Sequence, residues 1–301
     1  MVNRTHKKSK GIKRTAGEAA FDYFNILIMI FVFLITVYPF YYVFLSSISG
    51  IRVAAGLRLL PNSPTLSAYE TLFEYKLLWN AYTNTIIRCV LGVLISLLVT
   101  ALAAFPLSKR WLPFGGMLTN YFLITMLFGG GLIPTYLLVK DLNMLNTIWA
   151  LVVPGAVSAY NVFIVRNFFR SIPDALEESA MLDGASWFTI WTFIILPLSK
   201  PVLATISLWV LVGHWNAWFD AMIYIQNPYR TVVQVILRKI AIEHDTTDVV
   251  AMMRQMGNTS QHVGDTLEAA TIMVTIIPML IVYPFLQKYF VRGIMIGSIK
   301  G

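Results

Sequence analysis

Ser171-Ile-Pro-Asp-Ala-Leu-Glu-Glu-Ser-Ala-Met-Leu-Asp-Gly-Ala-Ser-Trp-Phe-Thr-Ile-Trp-Thr-Phe-Ile-Ile-Leu-Pro197 gathers Asp174, Glu177, Glu178 and Asp183 between two long apolar stretches of a chain that has only 15 acidic residues. Ser171 and Asp174 have the S-x-x-D spacing of a capping box. Pro173 falls in the first turn, where its missing N–H costs little, and the acids complement the helix dipole. Gly184 permits a backbone conformation closed to other residues, Ser186 is placed to cap a second short helix, and Leu196-Pro197 ends it. A helix–turn–helix finger follows. Its apolar half, from Gly184 to Ser199, is too short to cross a bilayer, begins at a glycine and contains Pro197. It reads as an interfacial or protein-docked helix.

Outward from the finger, charges serve as rulers, because a bilayer crossing needs about 20 apolar helical residues. Uncharged stretches run from Asp22 to Arg52, Arg88 to Lys109, Arg110 to Lys140, Asp141 to Arg166, Lys200 to Asp220 and Glu268 to Lys288. They predict six transmembrane helices near 23–48, 82–108, 114–139, 146–168, 199–223 and 268–290. Composition agrees. Of the 301 residues 57% are hydrophobic and 13% charged, and a mean hydropathy of +0.68 would leave a soluble fold with far too much apolar surface. The fold class expected is an all-α membrane protein. A basic tail (1–21), a first helix (22–48), an outer loop (49–79), a core (80–291) and a short C-terminus (292–301) make up the expected organisation. Pro61 and Pro64 punctuate the outer loop, and a second polar stretch at 226–267 is expected to hold some helix. The first apolar stretch lacks an A-x-A site and is longer than a signal-peptide h-region, so it reads as a retained helix.

Orientation comes from the cations. Arg4, Lys7, Lys8, Lys10, Lys13, Arg14, Lys109, Arg110, Arg166, Arg170, Lys200, Lys288, Arg292 and Lys300 fall on one side of a six-helix chain. Arg52, Arg58, Lys76, Lys140, Arg230, Arg238, Lys239 and Arg254 fall on the other. By the positive-inside rule both termini are cytoplasmic, and the net charge of +8 marks the inner face and anionic lipid, not nucleic acid. Much chemistry is excluded. The single cysteine, Cys89, rules out a disulfide framework, and four scattered histidines without HExxH leave no metal site. No GxxxxGK[ST] occurs, so the chain does not hydrolyse ATP, and Gly129-Gly130-Gly131 reads as a helix break or close-packing point. Cys89 reads as a buried, inert thiol, His214 as packing, and Pro278 and Pro284 as kinks.

Glu178-Ser179-Ala180, Gly184, Ile194, Leu196 and Pro197 resemble the EAA motif of bacterial ABC importer permeases: E-A-A, three residues, G, nine residues, I-x-L-P. Ser179 replaces the first alanine, and Asp183-Gly184-Ala185 is a common centre. The runs Tyr160-Asn161-Val162-Phe163 and Gly213-His214-Trp215-Asn216-Ala217-Trp218 are similar to the second permease of carbohydrate importers, in the branch that handles complex and uronate-containing oligosaccharides. The resemblance, over about 80–291, implies a type I ABC importer fold in the bacterial plasma membrane. It implies that 171–197 is a coupling helix, with Glu178, Ala180, Asp183, Gly184, Ile194, Leu196 and Pro197 docking on an ATPase. The implied partners are a second homologous permease, two cytosolic ATPase subunits and an extracytoplasmic solute-binding protein. No cofactor is expected on this chain; ATP and Mg belong to the ATPase subunits.

For the transport path the sequence offers the fifth helix. Trp209, Gly213, Asn216 and Asp220 recur at helical spacing, with Trp215 and Trp218 beside them, and aromatic rings with Asn and Asp suit sugars. The same tryptophans also fit an interfacial belt. A stand-alone secondary transporter or channel is the competing function. Against it stand the EAA loop and the lack of Asp, Glu or Lys in the middle of any expected span. A membrane-bound enzyme has no catalytic constellation behind it.

Overall fold

The computed structural model describes residues 15–50, 59–61, 63–241 and 263–298. The basic tail as far as Arg14, together with Arg52, Arg58, Arg254 and Lys300, lies outside them. Among the described residues the chain is helical, with a single isolated bridge, Ser49 to Pro64.

Helix α1 (Ala16–Ser47) opens on a capping box: Thr15 Oγ1 accepts from Glu18 N at 3.3 Å, and Thr15 N donates to Glu18 Oε2 at 2.9 Å. Its apolar face is exposed along most of its length. Its end is tied to the core, where Thr266 Oγ1 donates to the Ser49 carbonyl at 2.9 Å. Helix α2 (Ser67–Glu74) follows in the loop. Helix α3 (Lys76–Ser108) is the mast of the molecule; its 33 residues make a rod of about 50 Å against which the helices Ala159–Arg170, Lys200–Asn216 and Val233–Ala241 pack.

The third expected span is two helices, α4 (Gly115–Leu127) and α5 (Leu132–Asp141), bent by 110°. Gly131, at φ +82°, supplies the left-handed residue that the corner needs, as the triple glycine predicted for a break. The fourth departs further. In place of a helix over 146–168 the chain forms α6 (Trp149–Val152) and α7 (Ala159–Arg170), joined by a non-helical segment. Pro154 has no N–H to give to the Ala150 carbonyl, so α6 stops, and Ser158 starts α7 by accepting from Asn161 N at 3.4 Å.

The finger is α8 (Asp174–Leu182) and α9 (Trp187–Ile190), the latter carried on by a π-type turn (Trp191–Ile195) and α10 (Leu196–Leu198). It meets α11 (Lys200–Asn216) at 77°. Pro201 cannot donate to the Pro197 carbonyl, which breaks the ladder at that corner. Then come α12 (Phe219–Tyr224), α13 (Val233–Ala241) and α14 (Val263–Ser298), which runs through Pro278 and Pro284 without interruption. Three helical segments are long and apolar enough to cross a membrane, Ala20–Ser47, Lys76–Ser108 and Asp265–Val282; the two bent pairs would bring the number to five among the described residues.

Candidate functional site

Two regions concentrate polar chemistry, one at each half of α3. In the Lys76 half, Arg88 is only 2% exposed although it sits in an apolar helix. Its guanidinium is fully engaged. Nη1 donates to the Ala217 carbonyl at 3.1 Å and to Asp220 Oδ1 at 3.2 Å, Nη2 pairs with Asp220 Oδ2, and Nε donates to His214 Nδ1 at 3.2 Å. Because arginine only donates, His214 Nδ1 must accept, which leaves the imidazole proton on Nε2. Gly92 makes room for that ring: a Cβ there would lie 2.2 Å from His214 Nε2. Asp220 is held in turn by the Ala221 amide at 2.9 Å, at the N-terminal end of α12.

This triad lines an open cavity of about 440 Å³ together with Ala150, Pro154, Gly155, Asn161, Gly213 and Tyr224. The break at Pro154 that ended α6 thus forms part of the wall. The residues expected to share one stripe do not share this cavity. Helix α11 ends at Asn216, and Ala217 turns to extended backbone (ψ 126°), so the helical period does not carry to Asp220. Asp220 and Gly213 line the cavity. Trp209 lies outside it, stacked on Tyr160 with ring centroids 6.1 Å apart; Trp215 is buried against Tyr82, and Asn216 is exposed. Cys89 is buried, with Sγ 3.9 Å from the Leu211 carbonyl. Arg88 is the residue that sequence reasoning missed. Its signal was present: a lone arginine inside an apolar helix requires a buried acceptor, and Asp220 was the acid available.

The finger occupies the Lys109 end of α3. Gly184 (φ +82°) is the residue after the α8 C-cap, with the Gly184 amide bonded to the Met181 carbonyl at 3.0 Å and the Ala185 amide to the Ala180 carbonyl at 2.9 Å. That is a Schellman ending, and it gives the Ala180-to-Gly184 spacing a physical meaning: carbonyl to be capped, then left-handed residue. Ser186 Oγ accepts from Thr189 N at 3.2 Å and starts α9 as expected. The box at Ser171 does not form; Pro173 is the N-cap of α8, and Ser171 Oγ donates back to the Phe168 carbonyl at 2.7 Å. Ser179 bonds its own helix at the Ala175 carbonyl (2.8 Å), so the departure from alanine disturbs no packing.

Two contacts clamp the finger, through Glu177 and through its isoleucines, and Arg170 ties the adjoining end of α7 to α3. Glu177, 6% exposed, pairs with Lys109, whose Nζ lies 4.7 Å from the Phe105 ring centre. Arg170 donates to the Leu107 and Ser108 carbonyls at 3.1 and 3.2 Å, closing the end of α3. Ile190 and Ile195 are fully buried among Ala104, Val165, Phe169 and Ile206, with Ala180, Ile194 and Leu196 packed at the edge. Of the expected docking residues, Glu178, Asp183, Gly184 and Pro197 are exposed, while Ala180, Ile194 and Leu196 serve the anchor. Beyond the anchor the tip is bare, with Leu182 90% and Phe188 69% exposed beside the acids Glu178 and Asp183.

No family model matches the chain. It is 38% identical over 292 residues to Protein LplC of Bacillus subtilis (strain 168), covering 95% of this chain and 97% of the relative. To the polygalacturonan/rhamnogalacturonan transport system permease protein YtcP of the same organism it is 38% identical over 270 residues, 89% of this chain and 94% of the relative. Among solved structures it is similar to a chain from the crystal structure of a bacterial ABC transporter involved in the import of the acidic polysaccharide alginate. The TM-score is 0.84 and the identity 34%, over 92% of this chain and 99% of that one.

Proposed function

This chain belongs to the permease subunits of ABC importers, and from that premise we propose that it carries an acidic oligosaccharide inward, driven by ATP hydrolysed on separate subunits. Six membrane crossings with both termini in the cytoplasm complete the reading. The fourth crossing is made by the broken pair α6 and α7, and the bacterial plasma membrane is its place. The finger is the coupling element toward two cytosolic ATPase subunits, which hold the ATP and Mg. A second, homologous permease closes the path, and an extracytoplasmic solute-binding protein delivers the sugar.

One observation carries the coupling role: a finger clamped to α3 by the Lys109–Glu177 pair and by buried isoleucines, yet bare at its tip, where Leu182 and Phe188 stand exposed among acids. A helix resting on lipid headgroups would not present Asp174, Glu178 and Asp183 to an anionic surface. Rigid attachment at one end and an unsatisfied surface at the other are what a rigid-body transmission element needs. For the substrate, the support is the acidic polysaccharides named for YtcP and for the alginate importer, together with a cavity that offers Asn161 and His214 to sugar hydroxyls. The Tyr160–Trp209 stack, on the exposed sides of α7 and α11, is a platform for a sugar face.

The test is co-purification from membranes with cytosolic extract present. Wild-type chain should retain an ATPase, and a Gly184→Pro, Glu178→Lys variant should lose it together with uptake while staying in the membrane. A variant that keeps both overturns the coupling role.

A further inference from the structure

At the end of α3 next to the finger lies a second cavity, of about 350 Å³, with a lining that is mostly polar. Lys109, Arg110, Arg166 and Arg170 bring four positive charges to it, with Thr119 and Asn120 beside them. Glu177 neutralises Lys109. Among the described residues no carboxylate pairs with Arg110, Arg166 or Arg170, so three guanidinium charges face one small space. Arg166 is the most telling. Nη1 donates to Thr119 Oγ1 at 3.3 Å, but Nε is buried with no hydrogen-bond partner. A buried donor without an acceptor is unfavourable, and an acceptor bound in the cavity would relieve it.

The first turn of α4 adds to the same field. Its N-cap, Phe114, makes no side-chain cap, no acid sits in the first turn, and a Cβ built at Gly116, on the wall, would meet nothing within 4 Å. The helix start therefore turns uncapped amides and a partial positive charge toward an open space. Trp111, Phe114, Met117 and Tyr121 flank the lining residues and are strongly exposed. A polar, cationic cup with an apolar margin, on a membrane-embedded chain, matches a ligand that is anionic at one end and greasy at the other.

We propose that this cavity binds a phosphate group, presented by the headgroup of an anionic phospholipid, with Arg110 and Arg166 as its principal contacts. Arg170 contributes charge while it holds the end of α3. The site sits beside the clamp of the finger, so its occupancy would stiffen the element that the proposed function relies on. The binding itself does not depend on that function.

The test uses the chain purified in mild detergent with the subunits that accompany it, and counts bound lipid by native mass spectrometry after adding phosphatidylglycerol or phosphatidylcholine in equal amounts. Wild type should retain phosphatidylglycerol preferentially. An Arg110→Gln, Arg166→Gln variant should bind it about 25-fold more weakly, at about fivefold per basic residue, while Lys200→Gln, outside the cavity, should not differ from wild type. An intact mass of the assembled complex verifies that the double variant is folded. Equal retention of phosphatidylcholine overturns the lipid source, and a double variant that holds phosphatidylglycerol as wild type does overturns the site. Inorganic phosphate added without lipid separates the two sources. If it binds wild type and not the double variant, and phosphatidylglycerol shows no preference, the phosphate site stands and its lipid source is wrong.

Discussion

At the residue scale the decisive pair is Arg88 and Asp220, joined from α3 and the start of α12. Arg88 is buried and Asp220 partly exposed, and removing the acid is the costly half, because the buried guanidinium is left charged without its carboxylate. Asp220→Ala should therefore destabilise the assembled protein by about 3–5 kcal/mol, read as a fall in the thermal midpoint of the purified complex. Arg88→Met with Asp220→Leu removes both charges and should recover most of that loss. Uptake separates the two roles. If the pair lines the sugar path, the double variant assembles but transports poorly; full uptake by the double variant would make the pair purely structural. The spacing of the fifth helix pointed to Asp220 but not to its partner, because pairing over 132 positions of sequence is decided by how α3 and α11 pack.

At the element scale the finger shows why a local pattern can be read so far and no further. Gly184 and Ser186 act as their types demand, since a left-handed residue and a serine cap are decided within a few bonds. Ser171 and Asp174 have the spacing of a box and form none, because Ser171 ends α7 and Pro173 takes the cap position. Glu177, which looks in sequence like one more solvated acid, is instead the buried anchor. Glu177→Gln leaves the Lys109 ammonium buried without its carboxylate, at a cost of about 3–5 kcal/mol. Limited proteolysis should then cut the exposed 182–188 turn faster, and ATP hydrolysis should run without uptake. Lys109→Met with Glu177→Leu should restore protection. An unchanged digestion rate for Glu177→Gln would remove the clamp from the account.

At the scale of the whole molecule, orientation is the property most open to a direct experiment, because Cys89 is the chain's one cysteine and is buried. In a Cys89→Ala background, Leu182→Cys should react with a membrane-impermeant maleimide only from the cytoplasmic side, and Leu60→Cys, also strongly exposed, only from outside. Labelling in the opposite sense would invert the topology. Apolar composition and the capping residues determined by themselves a helical membrane protein with a finger after α7, since hydrophobicity and caps are carried by the local chain, and the resemblance of the motif named the permease family. Tertiary structure decided that the fourth span breaks and where the buried charges meet. Pro154 breaks a helix in a segment whose hydropathy predicts continuity. Arg88, His214 and Asp220 converge only because Gly92 lets two helices approach, a contact that no periodicity encodes.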